Sequence, residues 1–241
     1  MAITLIYFPL RARAETLRMI FRHGGIEYED EFVTFAEWSQ VKPKMPNGQV
    51  PVIRMADGSM IGDTPVIAKH AASLAPEKLA CENPAREADA AAIWEEDGTT
   101  TAPWCQPPDM VSLDNCLPHL NFFPADVAEK RMGPEMCNLH KMASIWFKHL
   151  EGRLEGGPFL FGASRPCHAD FIVFARMNNM ADLSDTVIEK EAPASVKAFY
   201  EAMLALPAVS GYLAQRPASG GSWGMPGSIL ATYTNTAKRI V

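Results

Sequence analysis

The sequence lacks several features that would place it in a large functional class. It has no run of lysines or arginines, and its formal net charge is −6, so the basic surface that nucleic acids or anionic lipids require is not expected. No stretch reaches the roughly 18 uncharged apolar residues of a membrane-spanning helix. The apolar start over residues 2–10 has no positive residue before it and ends at Arg11, unlike a secretory signal. We expect small molecules and other proteins as partners, with no nucleic acid and no membrane.

Cysteine is scarce and irregularly spaced. The 241-residue chain has five cysteines and no Cys-x-x-Cys pair, and it is long enough to form a core without disulfides. A reducing compartment, the cytoplasm, is therefore the expected location. A Cys2His2 zinc site could be assembled from Cys116, His119, Cys137 and His140. Because the second pair lies inside a helical pattern without a loop, we interpret these residues as helix and core positions and expect no metal.

Strand and helix patterns alternate at the start of the chain. Residues 3–8 form a short apolar run that predicts a buried strand, and a helical pattern then ends at Gly24-Gly25. Residues 28–35 alternate as a second strand. Two further strands form a hairpin around Asp57-Gly58, and Thr64 can cap a helix whose first residue is Pro65. The order is βαβ followed by ββα, which predicts an α/β domain over residues 1–76.

The rest of the chain shows helical patterns and no convincing strand. After a polar linker over residues 77–84, we predict an all-helical domain over residues 85–215. Its helices are predicted at residues 85–102, 135–154, 170–183 and 194–206. Five prolines interrupt residues 103–124, so loops are expected there. Residues 216–241, rich at their start in Gly, Ser and Pro, predict an irregular tail.

Three stretches of the first domain form a set of motifs at compatible spacing. They are Leu5-Ile6-Tyr7-Phe8 followed by Arg11-Ala12-Arg13-Ala14-Glu15, then Asn47-Gly48-Gln49-Val50-Pro51-Val52-Ile53, and Gly62-Asp63-Thr64-Pro65-Val66-Ile67-Ala68. Together they resemble the N-terminal domain of tyrosine-using glutathione S-transferases, with the sigma class closest. The resemblance implies a thioredoxin-like, glutathione-binding domain followed by the helical domain, which together form the glutathione S-transferase fold.

Tyr7 and Arg13 are the catalytic candidates that the resemblance implies. A thiol with a pKa near 8.5 is only about 3% thiolate at pH 7, and the thiolate is the nucleophile. Lowering that pKa by roughly two units requires about 2.7 kcal/mol, and a hydrogen bond to a charged group supplies roughly 1.5 to 3 kcal/mol. The Tyr7 hydroxyl is such a donor, and Arg13 adds positive potential. The alternative is a packed strand tyrosine beside a surface arginine.

The resemblance also implies residues that bind the backbone and the γ-glutamyl end of glutathione. Val50, before a cis Pro51, would pair with the cysteinyl backbone like an added strand. Asp63 would pair with the ammonium group, and Thr64 would donate to the carboxylate at a helix N-terminus. A plain helix cap is the alternative. The family has Gln-Ser or Glu-Ser here, and because Asp63 is one methylene shorter, its contact can become water-mediated.

The remaining implied contacts involve the glycyl end, the partner subunit and the second substrate. Trp38, Lys42 and Gln49 match positions that hold the glycyl end, although packing or solvated surface is the alternative for each. Asp97 matches a residue that reaches the partner's γ-glutamyl ammonium, which implies a homodimer. The second substrate would contact Phe8, Leu10 and Trp104.

The function implied is conjugation of glutathione, as co-substrate, to apolar electrophiles in detoxification. Two alternatives stay open: a non-catalytic, ligandin-like binder, and a glutathione-dependent isomerase or peroxidase such as a prostaglandin synthase-like sigma member.

The sequence also departs from the family pattern at Cys167, where the family has a Ser or Thr that caps the following helix. We expect the helix that follows to depend more on packing, or Ser164 to take the capping role.

Overall fold

A computed structural model describes residues 3–9, 11–34, 36–98, 139–183 and 185–216 of the chain. The N-terminal part contains β1 (Ile3–Tyr7), α1 (Ala12–Gly24), β2 (Tyr28–Phe32), α2 (Trp38–Val41), β3 (Val52–Arg54), β4 (Met60–Gly62), α3 (Thr64–Leu74) and α4 (Pro76–Leu79). The helical part contains α5 (Glu87–Gly98), α6 (Leu139–Leu154), α7 (His168–Leu183), α8 (Val187–Glu191), α9 (Ala194–Ala205) and α10 (Pro207–Gln215). The predicted βαβ-ββα domain followed by helices is confirmed.

The four strands form one mixed sheet in the order β2-β1-β3-β4. β1 pairs with β2 in parallel and with β3 antiparallel, and β3 pairs antiparallel with β4. Side chains of β1 are buried on both faces: Leu5 belongs to the main core and Ile6 to a smaller cluster under α2. This two-sided burial explains why the strand is a continuous apolar run in the sequence.

The main core is continuous from the sheet into the helical part. α1 packs against α3, α7 and α10, so the helix that follows β1 contacts both parts of the molecule. Its apolar residues Leu17, Ile20 and Phe21 are fully buried, as their helical spacing predicts. The position of α1 is therefore fixed by packing from two sides.

Several boundaries differ from those predicted. The second strand ends at Phe32 and not at residue 35, and α4 covers residues 77–79 of the predicted linker. Thr64 is the first residue of α3 and Asp63 is its N-cap residue, without a side-chain capping bond. The short helices α8 and α10 were not predicted, although Pro207 at the first position of α10 is a helix-start signal. Among the helices that the structure describes, none is both long and apolar enough to cross a membrane.

The start of α7 depends on the carboxylate of Asp170. One oxygen accepts the Cys167 N–H at 2.7 Å and the other accepts the Leu160 N–H at 2.9 Å. The expectation that Ser164 caps this helix is wrong, because its amide and hydroxyl donate to Glu82. Asp170 is fully buried, and this burial raises its pKa from 3.8 to about 6 against the opposing effect of the two N–H donors.

Candidate active site

The strand register brings three of the implied glutathione contacts to one end of the sheet. Ile6 pairs with Val52, and Val52 pairs with Gly62. Continuing both ladders by one residue places Tyr7 opposite Pro51, and Pro51 opposite Asp63. Neighbouring strands lie about 4.8 Å apart, so Tyr7 and Asp63 are about 10 Å apart. That span is about the length of an extended tripeptide, at roughly 3.3 to 3.6 Å per residue.

Tyr7 is the last residue of β1 and is 5% exposed. Burial raises the pKa of its hydroxyl, while the charge of Arg13, the backbone N–H of Arg13 and the charge of Arg18 act in the opposite direction. The net shift is upward, so the hydroxyl stays protonated at neutral pH. A neutral hydroxyl beside a positive charge can donate a hydrogen bond to an anion such as a thiolate.

Arg13 lies in the first turn of α1 with an exposed side chain. Its effect on the pKa of Tyr7 places its charge near the hydroxyl. The Arg13 side chain is therefore accessible to solvent and adds positive potential at the Tyr7 hydroxyl. That Tyr7 and Arg13 act on one group stays a prediction.

A buried ion-pair network holds the start of α1, and sequence reasoning missed it. Arg11 Nε donates to Glu15 Oε1 at 3.0 Å, and Arg11 also donates to Asn179 of α7 at 3.3 Å. Arg216, which follows α10, forms a second ion pair with Glu15. Glu15 is 1% exposed, so the pairs are shielded from solvent. The spacing of four residues between Arg11 and Glu15 was the available signal.

Thr64 begins α3, and its hydroxyl is buried without a partner. The residue is 7% exposed, and within the described part of the chain Oγ1 makes no hydrogen bond. The first amides of a helix also lack intrahelical partners and attract anions. Thr64 therefore combines an unsatisfied hydroxyl with a helix N-terminus, which suits a carboxylate.

Asp63 precedes this helix in an uncommon backbone conformation. Its φ is 73° and its ψ is 125°, a combination that costs a non-glycine residue on the order of 1–3 kcal/mol. Such residues are concentrated at ligand sites. The side chain is exposed, so its carboxylate is accessible to a ligand's ammonium group.

Val50 provides backbone groups beside Tyr7 and Thr64. The Val50–Pro51 peptide bond is cis, as the family resemblance implied. Among the described residues, neither the amide nor the carbonyl of Val50 has a backbone partner. An extended peptide can use such groups as an additional strand would.

Trp38 begins α2, and Lys42 and Gln49 lie in the segment between α2 and β3. The Trp38 ring lies 5.3 Å from the Phe8 ring in an edge-on arrangement, and Phe8 in turn contacts Tyr7. The Lys42 side chain passes over Gly48, where an added Cβ would lie 3.4 Å from Cε. Lys42 and Gln49 are exposed, so both polar groups are available to a ligand.

This fold matches that of known proteins. Residues 119–216 match the family model "Glutathione S-transferase, C-terminal domain", and the first domain carries the motifs described above. This chain is similar to glutathione S-transferases, in sequence over part of its length and in fold over most of it. The crystal structure of the glutathione S-transferase from Ascaris lumbricoides superposes with a TM-score of 0.71 at 22% identity, covering 90% of this chain and 98% of that one. At that identity the likeness concerns the fold.

Curated members of the family match over shorter segments. Hematopoietic prostaglandin D synthase of Gallus gallus is 39% identical over 105 residues, which are 42% of this chain and 51% of that protein. Glutathione S-transferase S1 of Drosophila melanogaster is 50% identical over 58 residues, which are 24% of this chain and 23% of that protein. The chain therefore matches about a quarter to a half of the length of these curated relatives.

Some of the residues implied by the family lie outside the described part of the chain. They are Leu10 and Trp104, the side chain of Asp97, and Cys116, His119 and Cys137 of the weighed zinc site. His140 is described and lies 2.9 Å from Glu191. Within the described ranges, no group of three metal-ligating side chains is present.

Proposed function

We propose that the protein is a glutathione transferase that conjugates the thiolate of glutathione to apolar electrophiles. The observation that carries the proposal is the buried, unpartnered hydroxyl of Thr64 at the start of α3. Thr64 directly follows Asp63, which is about 10 Å from Tyr7 by strand spacing. Glutathione has a carboxylate at one end and a thiol near its centre, so one molecule can reach both hydroxyls. Glutathione acts as a co-substrate, and the reaction uses no metal.

Each residue of the candidate active site described above has a role in this proposal. Thr64 and the first α3 amides bind the γ-glutamyl carboxylate, and Asp63 binds its ammonium group directly or through water. Val50 pairs with the cysteinyl backbone. The glycyl end lies towards Trp38, Lys42 and Gln49. Binding at both ends holds the sulfur near Tyr7, and Phe8 contributes an apolar wall for the second substrate.

The chemical step requires the thiol of bound glutathione to lose its proton. The proton leaves to solvent, and the thiolate is stabilised by the Tyr7 hydroxyl and by the charge of Arg13. With an aryl halide, the sulfur then forms a bond to the ring carbon and halide leaves. One glutathione and one halide yield one thioether, one proton and one halide ion, so Tyr7 returns unchanged.

Thr64→Val tests the carboxylate contact. Removing one hydrogen bond to a charged group, about 1.5 to 3 kcal/mol, is expected to raise the Kd for glutathione about 10- to 150-fold. Thermal unfolding of the ligand-free protein should occur at the same or a higher temperature, because the hydroxyl has no partner there. Isothermal titration calorimetry with glutathione and a melting curve measure the two effects.

Thr64→Ser is the matched control, since it keeps the hydroxyl and should bind glutathione within a few-fold of the wild type. A Thr64→Val protein with lower stability and unchanged glutathione affinity would identify the residue as a helix cap and contradict the contact. Thr64→Val replaces the hydroxyl with a methyl group at nearly constant volume, whereas Thr64→Ser keeps the hydroxyl and removes the methyl group. A loss of affinity that came from altered packing alone would therefore appear in Thr64→Ser and not selectively in Thr64→Val.

A second candidate function is glutathione-dependent isomerisation. It is favoured by the similarity to hematopoietic prostaglandin D synthase, and it would use the same thiolate with a different apolar wall. A panel of aryl halides, organic hydroperoxides and a prostaglandin endoperoxide distinguishes the two. Turnover of the endoperoxide without conjugation of aryl halides would favour the isomerase.

We also propose a cytoplasmic homodimer in which Asp97 of each subunit contacts glutathione in the other. A structure of similar fold is described as a monomeric glutathione S-transferase from Necator americanus, so the assembly needs its own test. Sedimentation equilibrium is expected to give twice the 26.5 kDa chain mass. A monomer that binds glutathione at full affinity would contradict the shared site.

A further inference from the structure

The first turn of α1 begins without a capping side chain. An N-cap needs a side-chain acceptor for the first free amides of the helix, and arginine has none. The N-cap residue here is Arg11, which makes no side-chain capping bond. The turn begins at Ala12, shortly after Tyr7 ends β1, and it carries Arg13. The position of Arg13 therefore depends on other contacts of this turn.

Glu15 supplies buried contacts that hold the turn. Its Oε1 atom accepts hydrogen bonds from Arg11 Nε at 3.0 Å and from Arg216 Nη1. The Glu15 side chain is 1% exposed, and those of Arg11 and Arg216 are 7% and 11% exposed, so salt screens these pairs little. Within the described part of the chain, Glu15 Oε2 is buried and has no hydrogen-bond partner. The hold on the carboxylate therefore depends on a single oxygen and two arginines.

The two arginines join Glu15 to different elements of the helical part. Arg11 Nη2 donates to Asn179 Oδ1 of α7 at 3.3 Å. Arg216 follows α10, and its Nη1 atom also lies 2.8 Å from the side-chain amide of Asn178. The first turn of α1 is thus tied to the helical part by buried polar contacts, in addition to the apolar packing of α1 against α7 and α10.

Gln215 and Arg216, which are adjacent in the chain, contact opposite ends of α1. Gln215 Oε1 accepts a hydrogen bond from Arg22 Nη1 at 2.9 Å, and this contact is exposed. Arg22 lies in the last turn of α1, about 10 Å along the helix from Glu15 at roughly 1.5 Å per residue. The end of α10 therefore makes one buried contact in the turn of Arg13 and one exposed contact away from that turn.

We propose that Arg216 is a positioning residue for the thiolate of bound glutathione, because it fixes, through Glu15, the turn of α1 that carries Arg13. The inference rests on the proposed transferase function of this site. Arg216 is not a catalytic residue, since its effect passes through Glu15 to Arg13. A misplacement of about 1 Å can lower the rate of an enzyme about 100-fold, so a looser first turn weakens the effect of the Arg13 charge on the thiolate.

Arg216→Met tests this role. The substitution leaves Glu15 with Arg11 alone, so the first turn of α1 should open more often. The Glu15 amide donates to the Arg11 carbonyl at 3.0 Å, and its hydrogen should exchange about 10-fold faster in the ligand-free protein. The pKa of the bound glutathione thiol should rise by about half a unit to one unit, and kcat/KM for an aryl halide at neutral pH should fall about 3- to 10-fold. The Kd for glutathione should change little, because the proposed contact at Thr64 is unaltered.

Gln215→Met is the matched control, since it removes the exposed contact of the adjacent residue with the same helix. Its Glu15 exchange, thiol pKa and kcat/KM should equal those of the wild type. Arg216→Lys keeps a charge and a donor for Glu15, and it should restore most of the wild-type thiol pKa. If Arg216→Met does not fold, Arg216→Gln takes its place in every measurement.

A double-mutant cycle with Arg13→Met separates positioning from a direct effect of the Arg216 charge. If Arg216 acts through Arg13, Arg216→Met should leave the thiol pKa unchanged in an Arg13→Met background. An equal rise of the thiol pKa in both backgrounds would overturn the proposal, and so would unchanged exchange of the Glu15 amide in Arg216→Met. A wild type that leaves the thiol pKa at its solution value would instead contradict the proposed function, and the exchange of the Glu15 amide would still decide whether Arg216 fixes this turn.

Discussion

Tyr7→Phe is expected to lower kcat/KM for conjugation of glutathione to an aryl halide by about 10- to 150-fold. The substitution removes one hydrogen bond to a developing or formed thiolate, which is worth roughly 1.5 to 3 kcal/mol. The phenyl ring keeps its place in the core, because Tyr7 is 5% exposed and packs beside Phe8. Glutathione affinity should change little, since the proposed contact of the γ-glutamyl carboxylate with Thr64 does not involve this hydroxyl.

The pKa of the thiol of bound glutathione measures the effect of Tyr7→Phe directly. Ultraviolet difference spectra against pH give its pKa in the complex, and we expect that pKa to rise by about one to two units in Tyr7→Phe. The loss of activity should therefore be largest near neutral pH. It should shrink in alkaline buffer, where the thiol ionises without help.

Tyr28→Phe is the matched control for this prediction. Tyr28 is a half-buried tyrosine of β2 that packs against Phe21 and lies outside the proposed site, so its activity should equal that of the wild type. Equal activity of Tyr7→Phe and wild type would sink the tyrosine mechanism. A wild type that binds glutathione and turns over none of the electrophiles would favour the ligandin-like binder.

The local fold of the first domain was predictable because each element carries its own signal. The Asp57-Gly58 turn predicted the hairpin of β3 and β4. The apolar run of β1 predicted a buried strand, and the structure shows that it is buried on both faces. These signals act over a few residues. They do not depend on which other segments pack nearby, so they can be recognised from the local sequence alone.

The position of the candidate site was predictable only through the family resemblance. Composition and periodicity do not place Tyr7, Val50 and Thr64 at one end of a sheet, since this requires the strand order β1-β3-β4. The unpartnered Thr64 hydroxyl also depends on burial by distant segments. A sequence shows that a threonine can cap a helix, but not that its hydroxyl is left without a partner.

Long-range polar contacts were the part that the sequence could not reveal. Glu15 pairs with Arg11 four residues away, which is a local pattern, but also with Arg216 at the end of α10. The role of Asp170 likewise depends on Leu160, ten residues earlier. Polar residues contact many partners with similar preference, so spacing alone does not select one.

Asp170→Ala is expected to lower the free energy of unfolding by about 2 to 6 kcal/mol at pH 7. The substitution leaves the N–H groups of Leu160 and Cys167 without their acceptor, and each unsatisfied buried group costs roughly 1–3 kcal/mol. Urea unfolding monitored by circular dichroism measures the difference. Asp185→Ala, at an exposed position, is the control and should stay within about 0.5 kcal/mol of the wild type.

The pH dependence of this loss has a defined sign. Because the pKa of Asp170 is raised from 3.8 to about 6 in the folded protein, the folded state binds more protons than the unfolded state between these pH values. The stability that this shift contributes is fully present below about pH 4 and is lost as the pH rises through about 6. A shift of about two units corresponds to about 3 kcal/mol, so the loss in Asp170→Ala should be larger by about that amount near pH 4 than at pH 7.

A stability loss in Asp170→Ala with the opposite pH dependence would reverse the physical interpretation of the start of α7. A loss that grows with pH would mean that the two N–H donors outweigh burial and hold the carboxylate ionised. A loss below about 1 kcal/mol at every pH would mean that both amides find other acceptors when the carboxylate is removed. The sign of the slope therefore decides whether burial or hydrogen bonding governs Asp170, and its size measures how firmly α7 is joined to the turn at Leu160.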